Sequence, residues 1–172
     1  MTAQQPITLR LAGPEDLHCL HALVERCYRG DSARAGWTHE ADLLQDERTS
    51  DADLAHALRR PDTRIILAER DGMPCGSVSV SNLGRARCYL WMLCVDPVVQ
   101  AGGIGRTLIT AAERIAVEAF GAQVIEMSVI ELRTELIAYY LRRGYRQTDQ
   151  KRPYPGGGDH PFGMVVLERS VS

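Results

Sequence analysis

The sequence predicts one mixed α/β domain. Strand-like and helix-like patterns alternate in the order β-α-α-β-β-β-α-β-α-β-β, and no internal repeat or linker separates them. Hydrophobic residues make up 45% of the 172 residues, enough for one well-filled core, whereas the chain is too short for two comfortable domains. We therefore expect residues 1–172 to form a single domain.

The N-terminal part of the chain predicts a strand followed by helices. Alternating residues over 7–11 predict the strand, and a helix with an apolar stripe follows it. The stripe consists of Leu17, Leu20, Leu23, Val24 and Cys27. A polar loop covers residues 29–38, a short helical pattern covers 40–45, and a further helix begins at Ser50 and ends at Pro61.

The remainder of the chain predicts mainly strands. Strands are expected over residues 64–69, 75–80, 87–95, 124–129, 145–148 and 164–168, and helices over 105–120 and from 133 or 134 to 143. Asp71-Gly72 between the first two strands is a strong signal for a hairpin turn. Gly121 and Gly144 follow the two helices as C-terminal caps. A loop rich in proline and glycine fills residues 152–163.

Composition argues against several classes of function. The formal net charge of -2 gives no electrostatic footprint for nucleic acid or an anionic membrane. No apolar stretch approaches the roughly 20 residues of a membrane span, and residues 1–17 lack a signal-peptide pattern. The five cysteines form no CxxC pair, and His18 and His21 have no further ligands in a metal-binding spacing. We expect a cytoplasmic protein without a metal site.

Residues 100–107 read QAGGIGRT, with three glycines in four positions ahead of the predicted helix. Glycines at a strand-to-helix junction expose backbone N–H groups, and the helix start adds partial positive charge, which together favour an anion such as pyrophosphate. Two common phosphate motifs do not fit. Arg106 stands where a P-loop needs lysine, and Leu108 stands where a dinucleotide fingerprint needs its third glycine.

The stretch from Gln100 to Gly105 resembles the [RQ]-x-x-G-x-[GA] signature of the GNAT superfamily of acyl-CoA-dependent N-acyltransferases. Upstream, residues 93–97 (LCVDP) resemble the family's L-x-V-x-P strand end. Downstream, residues 138–145 (AYYLRRGY) resemble its second motif, and the element order resembles the family's fold across nearly the whole chain. The resemblance implies a central, mostly antiparallel sheet with a splayed parallel strand pair and helices on both faces.

The resemblance also implies acetyl-CoA as co-substrate and a V-shaped opening between the strand ending at Val95 and the strand over 124–129. Pantetheine would bond the backbone there, and pyrophosphate would bond the glycine stretch. The expected cofactor-binding residues are Leu93, Cys94, Val95, Gln100, Ala101, Gly102, Gly103, Ile104, Gly105, Arg106, Thr107 and Arg133. Arg106 could equally be a solvated helix residue. Arg133 departs from the family, since many relatives carry Asn there; it could meet a phosphate or pair with Glu131 or Glu135.

The resemblance assigns Tyr140 as general acid towards the CoA sulfur, with Tyr139 a weaker candidate. A buried core aromatic is the alternative interpretation of Tyr140. A backbone N–H near Leu93 or Cys94 could stabilise the charge on the carbonyl oxygen. Glu126 is our candidate general base; Asp31 and His160 are others, and a base can act through water.

Three aromatic residues in predicted loops, Trp37, Tyr154 and Phe162, could form an apolar wall of the acceptor pocket or could simply anchor the loops. Asp31, Glu40 and Asp159 could attract a cationic amine. We expect an acyltransferase that transfers acetyl from acetyl-CoA to an amine of a small molecule or peptide by direct attack in a ternary complex. The alternative is a non-catalytic acyl-CoA-binding or ligand-sensing protein, and a homodimer is possible in either case.

Overall fold

A seven-stranded sheet organises the part of the chain that the structure, a computed structural model, describes: residues 5–28, 49–155 and 159–172, with Gln100 and Ala101 described by backbone alone. The strands are β1 (Thr8–Leu11), β2 (Thr63–Arg70), β3 (Met73–Gly84), β4 (Arg87–Val95), β5 (Val124–Ile130), β6 (Arg146–Pro153) and β7 (Gly163–Ser170). Their order in the sheet is β1-β2-β3-β4-β5-β7-β6. The predicted helix over 40–45, together with Asp31, Trp37 and Glu40, lies outside the described residues.

Four α-helices in the described residues cover both faces of this sheet. They are α1 (Leu17–Tyr28), α2 (Asp51–Arg59), α3 (Ile104–Phe120) and α4 (Thr134–Arg142). The apolar stripe of α1 is buried with Leu54 of α2 against one face, where Leu67 and Cys94 meet it. Leu108 of α3 and Tyr140 of α4 belong to the core on the other face. The prediction of helices on both faces is therefore confirmed.

The strand pair β4–β5 is parallel, and the other neighbouring strands are antiparallel. Pairing between β4 and β5 is confined to three positions at their beginnings, Arg87 with Val124, Cys88 with Ile125 and Tyr89 with Glu126. Beyond Tyr89 the two strands separate. The predicted fold class, a mostly antiparallel sheet with a splayed parallel pair, is confirmed.

Local signals placed most element ends correctly. The Ser50 hydroxyl accepts the Asp53 N–H at 3.1 Å and caps α2. Asp71 and Gly72 have φ of 54° and 75°, as a two-residue hairpin turn requires. Gly121 has φ 64° and its N–H bonds the last turn of α3. No helix among the described residues is long and apolar enough to cross a membrane.

The strand β6 is longer than predicted. It continues to Pro153, so residues 152 and 153 belong to the sheet and not to the loop that the sequence predicts from 152 onwards. Its pairing with β7 shifts register between Gln147 and Lys151. Because β6 is an edge strand with largely polar, exposed side chains, it carries no apolar alternation, and a proline at its end costs no ladder bond.

Candidate active site

A cleft opens where β4 and β5 separate. A cavity of about 100 Å³ lies there, lined by the diverging parts of both strands, by α4, by Tyr28 at the end of α1 and by the segment after β6. On the side of α3 and α4, its lining includes Leu90, Leu93, Met127 and Tyr140. A volume this small suits the reacting end of a ligand, with the remainder lying outside the cleft.

A bulge in β4 borders the cleft. Ser77 pairs with Cys94 and Ser79 pairs with Trp91, so β4 carries one more residue than β3 between these positions. Met92 takes up the extra residue with φ 53°, a left-handed conformation that is uncommon outside glycine. A methionine gives no sequence signal for this conformation, and the bulge was not predicted. It bends β4 and increases its twist at the point where β4 leaves β5.

The backbone of β4 presents alternate residues to the cleft. The Asp96 N–H donates to the Cys75 carbonyl at 2.8 Å, and Cys94 pairs with Ser77, so these residues direct their polar groups to β3. Leu93 and Val95 therefore direct theirs to the opposite edge. An extended ligand chain along this edge would lie beside Leu93 and Val95, whereas the pairing of Cys94 does not favour its predicted role as a backbone ligand.

Tyr28 reaches this edge from α1. Its buried hydroxyl donates a hydrogen bond to the carbonyl oxygen of Leu93. This contact occupies a carbonyl in the part of β4 that β5 no longer pairs, and it ties the bulged strand to α1. Sequence analysis missed Tyr28, because it ends an otherwise ordinary amphipathic helix.

The glycine stretch forms a tight turn directly after β4. A 3₁₀ turn covers Pro97–Gly102, and the Asp96 carboxylate caps it by accepting the Val98 N–H at 3.1 Å. Gly103 then has φ 73°, with no atom within 4 Å of the position that a Cβ would occupy. The 17-residue helix α3 begins at the next residue. The turn therefore presents bare backbone at a helix N-terminus, an arrangement that favours anions.

Thr107 stands in the first turn of α3, and its hydroxyl donates to the Gly103 carbonyl at 3.1 Å. This bond supports the turn itself. A direct contact from Thr107 to a phosphate stays a prediction, as does any contact from Arg106, whose side chain is exposed.

Gly76 in β3 lets α3 approach the sheet. A Cβ there would lie 3.0 Å from Leu108 Cδ1, 3.1 Å from Ile104 Cγ2 and 3.1 Å from the Cys94 carbonyl oxygen. The start of α3 thus rests directly on β3 and β4, which fixes the glycine turn beside the end of β4. Sequence analysis missed this residue, since a close approach between distant segments leaves no local pattern.

A basic depression lies beside the glycine turn. It has a volume of about 590 Å³ and is lined by Val95, Gly103, Gly105 and residues of α4 and its end. Arg106, Arg142 and Arg143 contribute three cations, and Glu135 contributes one carboxylate. The site predicted for an anion therefore has excess positive charge, of which Arg142 and Arg143 were not predicted.

The two tyrosines of the second motif face different cavities. Tyr139 lines the basic depression, where its hydroxyl lies 3.7 Å from the position of a Cβ on Gly105. Tyr140 lines the cleft. Because consecutive residues of a helix point in different directions, each of the two rings lines a different cavity.

Tyr140 is 4% exposed, and its ring packs edge-on against Tyr139 and Tyr145 at centroid distances of 5.6 and 5.9 Å. Burial raises the pKa of Tyr140 well above its usual range. The hydroxyl has no hydrogen-bond partner among the described residues. Tyr140 is thus both a core aromatic and a protonated hydroxyl at the cleft.

Glu126 is buried beside the cleft, at the last paired position of β4 and β5. Its carboxylate accepts a hydrogen bond from Arg152 Nη2 at 2.6 Å, and Arg87 Nη1 lies 3.4 Å away. Glu126 does not contribute to the cleft lining found among the described residues. Its role as general base stays a prediction, and the two guanidinium partners hold it away from a direct contact with the cleft.

The remaining candidates divide between the cleft and the late loop. Arg133 lines the cleft just before α4, and its N–H donates to the Ile130 carbonyl at 2.9 Å. His160 packs against Tyr154 and Phe162, with ring centroids 4.9 and 5.3 Å away. Asp159 is exposed.

Comparisons with known proteins agree with this arrangement. Ribosomal-protein-S18-alanine N-acetyltransferase from Escherichia coli is 16% identical, with a TM-score of 0.75 over 97% of this chain and 95% of that chain. PaiA N-acetyltransferase from Thermoplasma acidophilum, in complex with coenzyme A, is 18% identical, with a TM-score of 0.71 over 96% and 99%. YncA from Salmonella typhimurium, with its cofactor acetyl-CoA, is 16% identical, with a TM-score of 0.71 over 98% and 95%. At these identities the likeness shows a shared fold.

No significant match was found among curated proteins. The model of the acetyltransferase (GNAT) family matches residues 19–145, which include β4, the glycine turn and the second motif. Since this match covers well over half of the chain, the protein belongs to the GNAT family of acetyltransferases.

Proposed function

We propose that this acetyltransferase transfers the acetyl group of acetyl-CoA to an amine of a small molecule or peptide, by direct attack in a ternary complex. One observation carries the proposal. Where β4 and β5 separate they form a cleft, Tyr140 lines this cleft, and the glycine turn follows the end of β4. Related structures that contain coenzyme A or acetyl-CoA support the choice of donor.

The phosphates of the donor would bond the backbone of the glycine turn, next to Arg106, Arg142 and Arg143. Its amide-bearing arm would lie along the edge of β4 that faces β5, beside Leu93 and Val95. The thioester would then lie in the cleft beside Tyr140. These contacts hold the donor in place, so that much of the rate arises from proximity of the two reactants.

In the reaction, the nitrogen lone pair of the neutral amine attacks the thioester carbonyl carbon. Charge develops on the carbonyl oxygen, and the Leu93 N–H at the cleft edge of β4 is our proposed donor to it. The carbon–sulfur bond breaks as the amide forms. Tyr140 donates its proton to the leaving sulfur, and solvent returns a proton to the phenolate.

The amine must also lose a proton. Glu126 is our proposed acceptor of that proton. Its carboxylate is held by Arg152 and does not line the cleft, so the proton would pass through a water molecule. The raised pKa of Tyr140 keeps its hydroxyl protonated before the reaction and also makes it a weaker acid towards the leaving sulfur, so its assignment rests on its position at the cleft.

The five cysteines are all free thiols, which supports our proposal that the protein acts in a reducing cytoplasm. A homodimer and the single-domain extent of residues 1–172 stay predictions.

To test the proposal, we would incubate the protein with acetyl-CoA and a panel of amines, and measure both free thiol and acetylated amine. The wild type should release CoA in step with amide formation. Tyr140→Phe should bind acetyl-CoA with an unchanged Kd while kcat falls by about 100-fold.

Tyr145→Phe is the matched control, since Tyr145 is a neighbouring buried tyrosine whose hydroxyl bonds Glu113 at 2.9 Å, away from the cleft. It should lose stability and keep its kcat. Binding of acetyl-CoA without turnover of any amine would favour the alternative of a non-catalytic acyl-CoA-binding protein. Absence of binding would contradict both functions.

A further inference from the structure

With the donor placed on the side of α3 and α4, the opposite side of the cleft is left for the acceptor. Tyr140, Leu93 and the start of α3 belong to the core on one face of the sheet. Trp91 packs with the core under α1 on the other face, and alternation along β4 places Tyr89 on that same face. An amine that attacks the thioester while Tyr140 serves the sulfur must enter from the α1 side.

Aromatic rings line that entrance. Among the described residues, four rings from three separate parts of the chain border the cleft there: Tyr28, Tyr89, Trp91 and Tyr154. Ile130 and Met164 add apolar side chains to this lining. We call these four rings the aromatic entrance.

Three of the four rings of the aromatic entrance are held in place by contacts with neighbouring residues. Trp91 Nε1 donates to the Ser81 hydroxyl at 2.9 Å, and the Tyr28 hydroxyl donates to Leu93. Tyr154 packs edge-on against the rings of His160 and Phe162, at centroid distances of 4.9 and 5.7 Å. A ligand that binds between fixed rings loses little affinity to ordering of the protein.

Shape distinguishes among amines. A polyamine is a flexible chain without a ring, so it offers little surface to the four rings of the aromatic entrance. An amine with a single nitrogen attached to a ring meets aromatic surface with its ring and exposes one basic group to the thioester.

We propose that the acceptor is a small primary amine joined through a short chain to an aromatic ring. This inference rests on the proposed acetyl transfer and names its substrate class. The ring would pack in the aromatic entrance, and the amine would extend between β4 and β5 towards the carbonyl carbon. Attack of that nitrogen gives the N-acetyl amine and free CoA, as in the reaction above.

Calorimetry with 2-phenylethylamine, 2-cyclohexylethylamine and spermidine tests this inference. Each amine is titrated into the full chain, with and without saturating CoA. We expect 2-phenylethylamine to bind at least tenfold more tightly than spermidine, and about threefold more tightly than its saturated counterpart, because ring–ring contacts add to buried area. Trp91→Leu and Tyr89→Leu should each weaken its binding about tenfold.

His18→Ala, at an exposed position of α1, is the control and should bind as the wild type does. Thermal unfolding of each variant reports whether it is folded. If Trp91→Leu does not fold, Tyr89→Leu provides the test. Equal binding of spermidine and 2-phenylethylamine, or a preference unchanged in the folded ring variants, would overturn the inference.

A separate titration with acetyl-CoA distinguishes the two proposals. If acetyl-CoA binds and no preference for the ring is found, the inference on substrate class fails alone. If the preference is found and acetyl-CoA does not bind, acetyl transfer fails while an aromatic amine site remains.

Discussion

Replacing Gly76 by alanine tests how closely α3 packs on the sheet. The new Cβ would lie 3.0–3.1 Å from Leu108 Cδ1, Ile104 Cγ2 and the Cys94 carbonyl oxygen. Leu108 is fully buried and Ile104 is 1% exposed, so neither side chain can turn out to solvent. The start of α3 must therefore move by a few tenths of an ångström away from β3.

Two opposing terms set the size of the effect. Overpacking of a filled core by one methyl group costs about 1–3 kcal/mol of unfolding free energy. Alanine also lowers the conformational entropy of the unfolded chain relative to glycine, which offsets about 0.4–1 kcal/mol of this loss. We expect a net loss of about 1–2 kcal/mol, which for a chain of this length lowers Tm by about 3–6 °C. The displaced glycine turn should also bind acetyl-CoA several-fold more weakly.

Urea unfolding gives the free energy, and calorimetry gives the affinity. Leu108→Ala removes one of the three close contacts, so Gly76→Ala should cost less in that background than in the wild type. Unchanged or increased stability of Gly76→Ala, or equal costs in the two backgrounds, would refute the close packing.

Three further predictions concern stability and pH. Asp16→Asn should lose about 1–2 kcal/mol at pH 7, since Asp16 pairs with Arg10 at 2.7–2.8 Å. Arg10 lowers the pKa of Asp16, so the pair stabilises the fold above the usual aspartate range and that stabilisation is lost as pH falls; urea unfolding at pH 3 should show a smaller difference. Because burial raises the pKa of Tyr140, ionisation of this residue should not lower kcat at any pH up to about 10. A decline of kcat below that pH that is absent in Tyr140→Phe would contradict this. Glu113→Gln should lower Tm through the lost ion pair with Arg169, whose Nη1 lies 3.0 Å from both carboxylate oxygens, without changing the Kd for acetyl-CoA.

Features with a local cause could be predicted from the sequence. The Ser50 cap, the Asp71-Gly72 turn and the glycine that ends α3 each depend on a few neighbouring residues. The glycine stretch was also readable, because three glycines before a helix are unusual for a simple turn. The family motifs then gave the parallel pair and the placement of Tyr140.

Features with a cause distant in the sequence could not be predicted. Gly76 matters because α3 lies on it, and Met92 is left-handed because β4 carries one more residue than β3 at this point. Arg142 and Arg143 line the basic depression because α4 packs beside the glycine turn. Glu126 was predicted from its strand, whereas its engagement by Arg152 depends on an edge strand whose polar sequence reads as loop.

Calorimetric titration of acetyl-CoA into the wild type, Gly103→Asp and Gly103→Asn tests the donor site most directly. Asn and Asp both tolerate the left-handed backbone of Gly103, so the difference between the two variants isolates the charge. Repulsion between a phosphate and a carboxylate about 4 Å away in a partly exposed site lowers the binding free energy of acetyl-CoA by on the order of 2 kcal/mol, which raises Kd about 30-fold. Gly84→Asp carries the same change at a left-handed glycine in the β3–β4 hairpin and should bind as the wild type does.

We therefore predict that the wild type and Gly84→Asp bind acetyl-CoA, that Gly103→Asn binds within a few-fold of them, and that Gly103→Asp binds about 30-fold more weakly than Gly103→Asn. Equal affinities of Gly103→Asp and Gly103→Asn, or no binding by the wild type, would contradict the assignment of the glycine turn as the phosphate site.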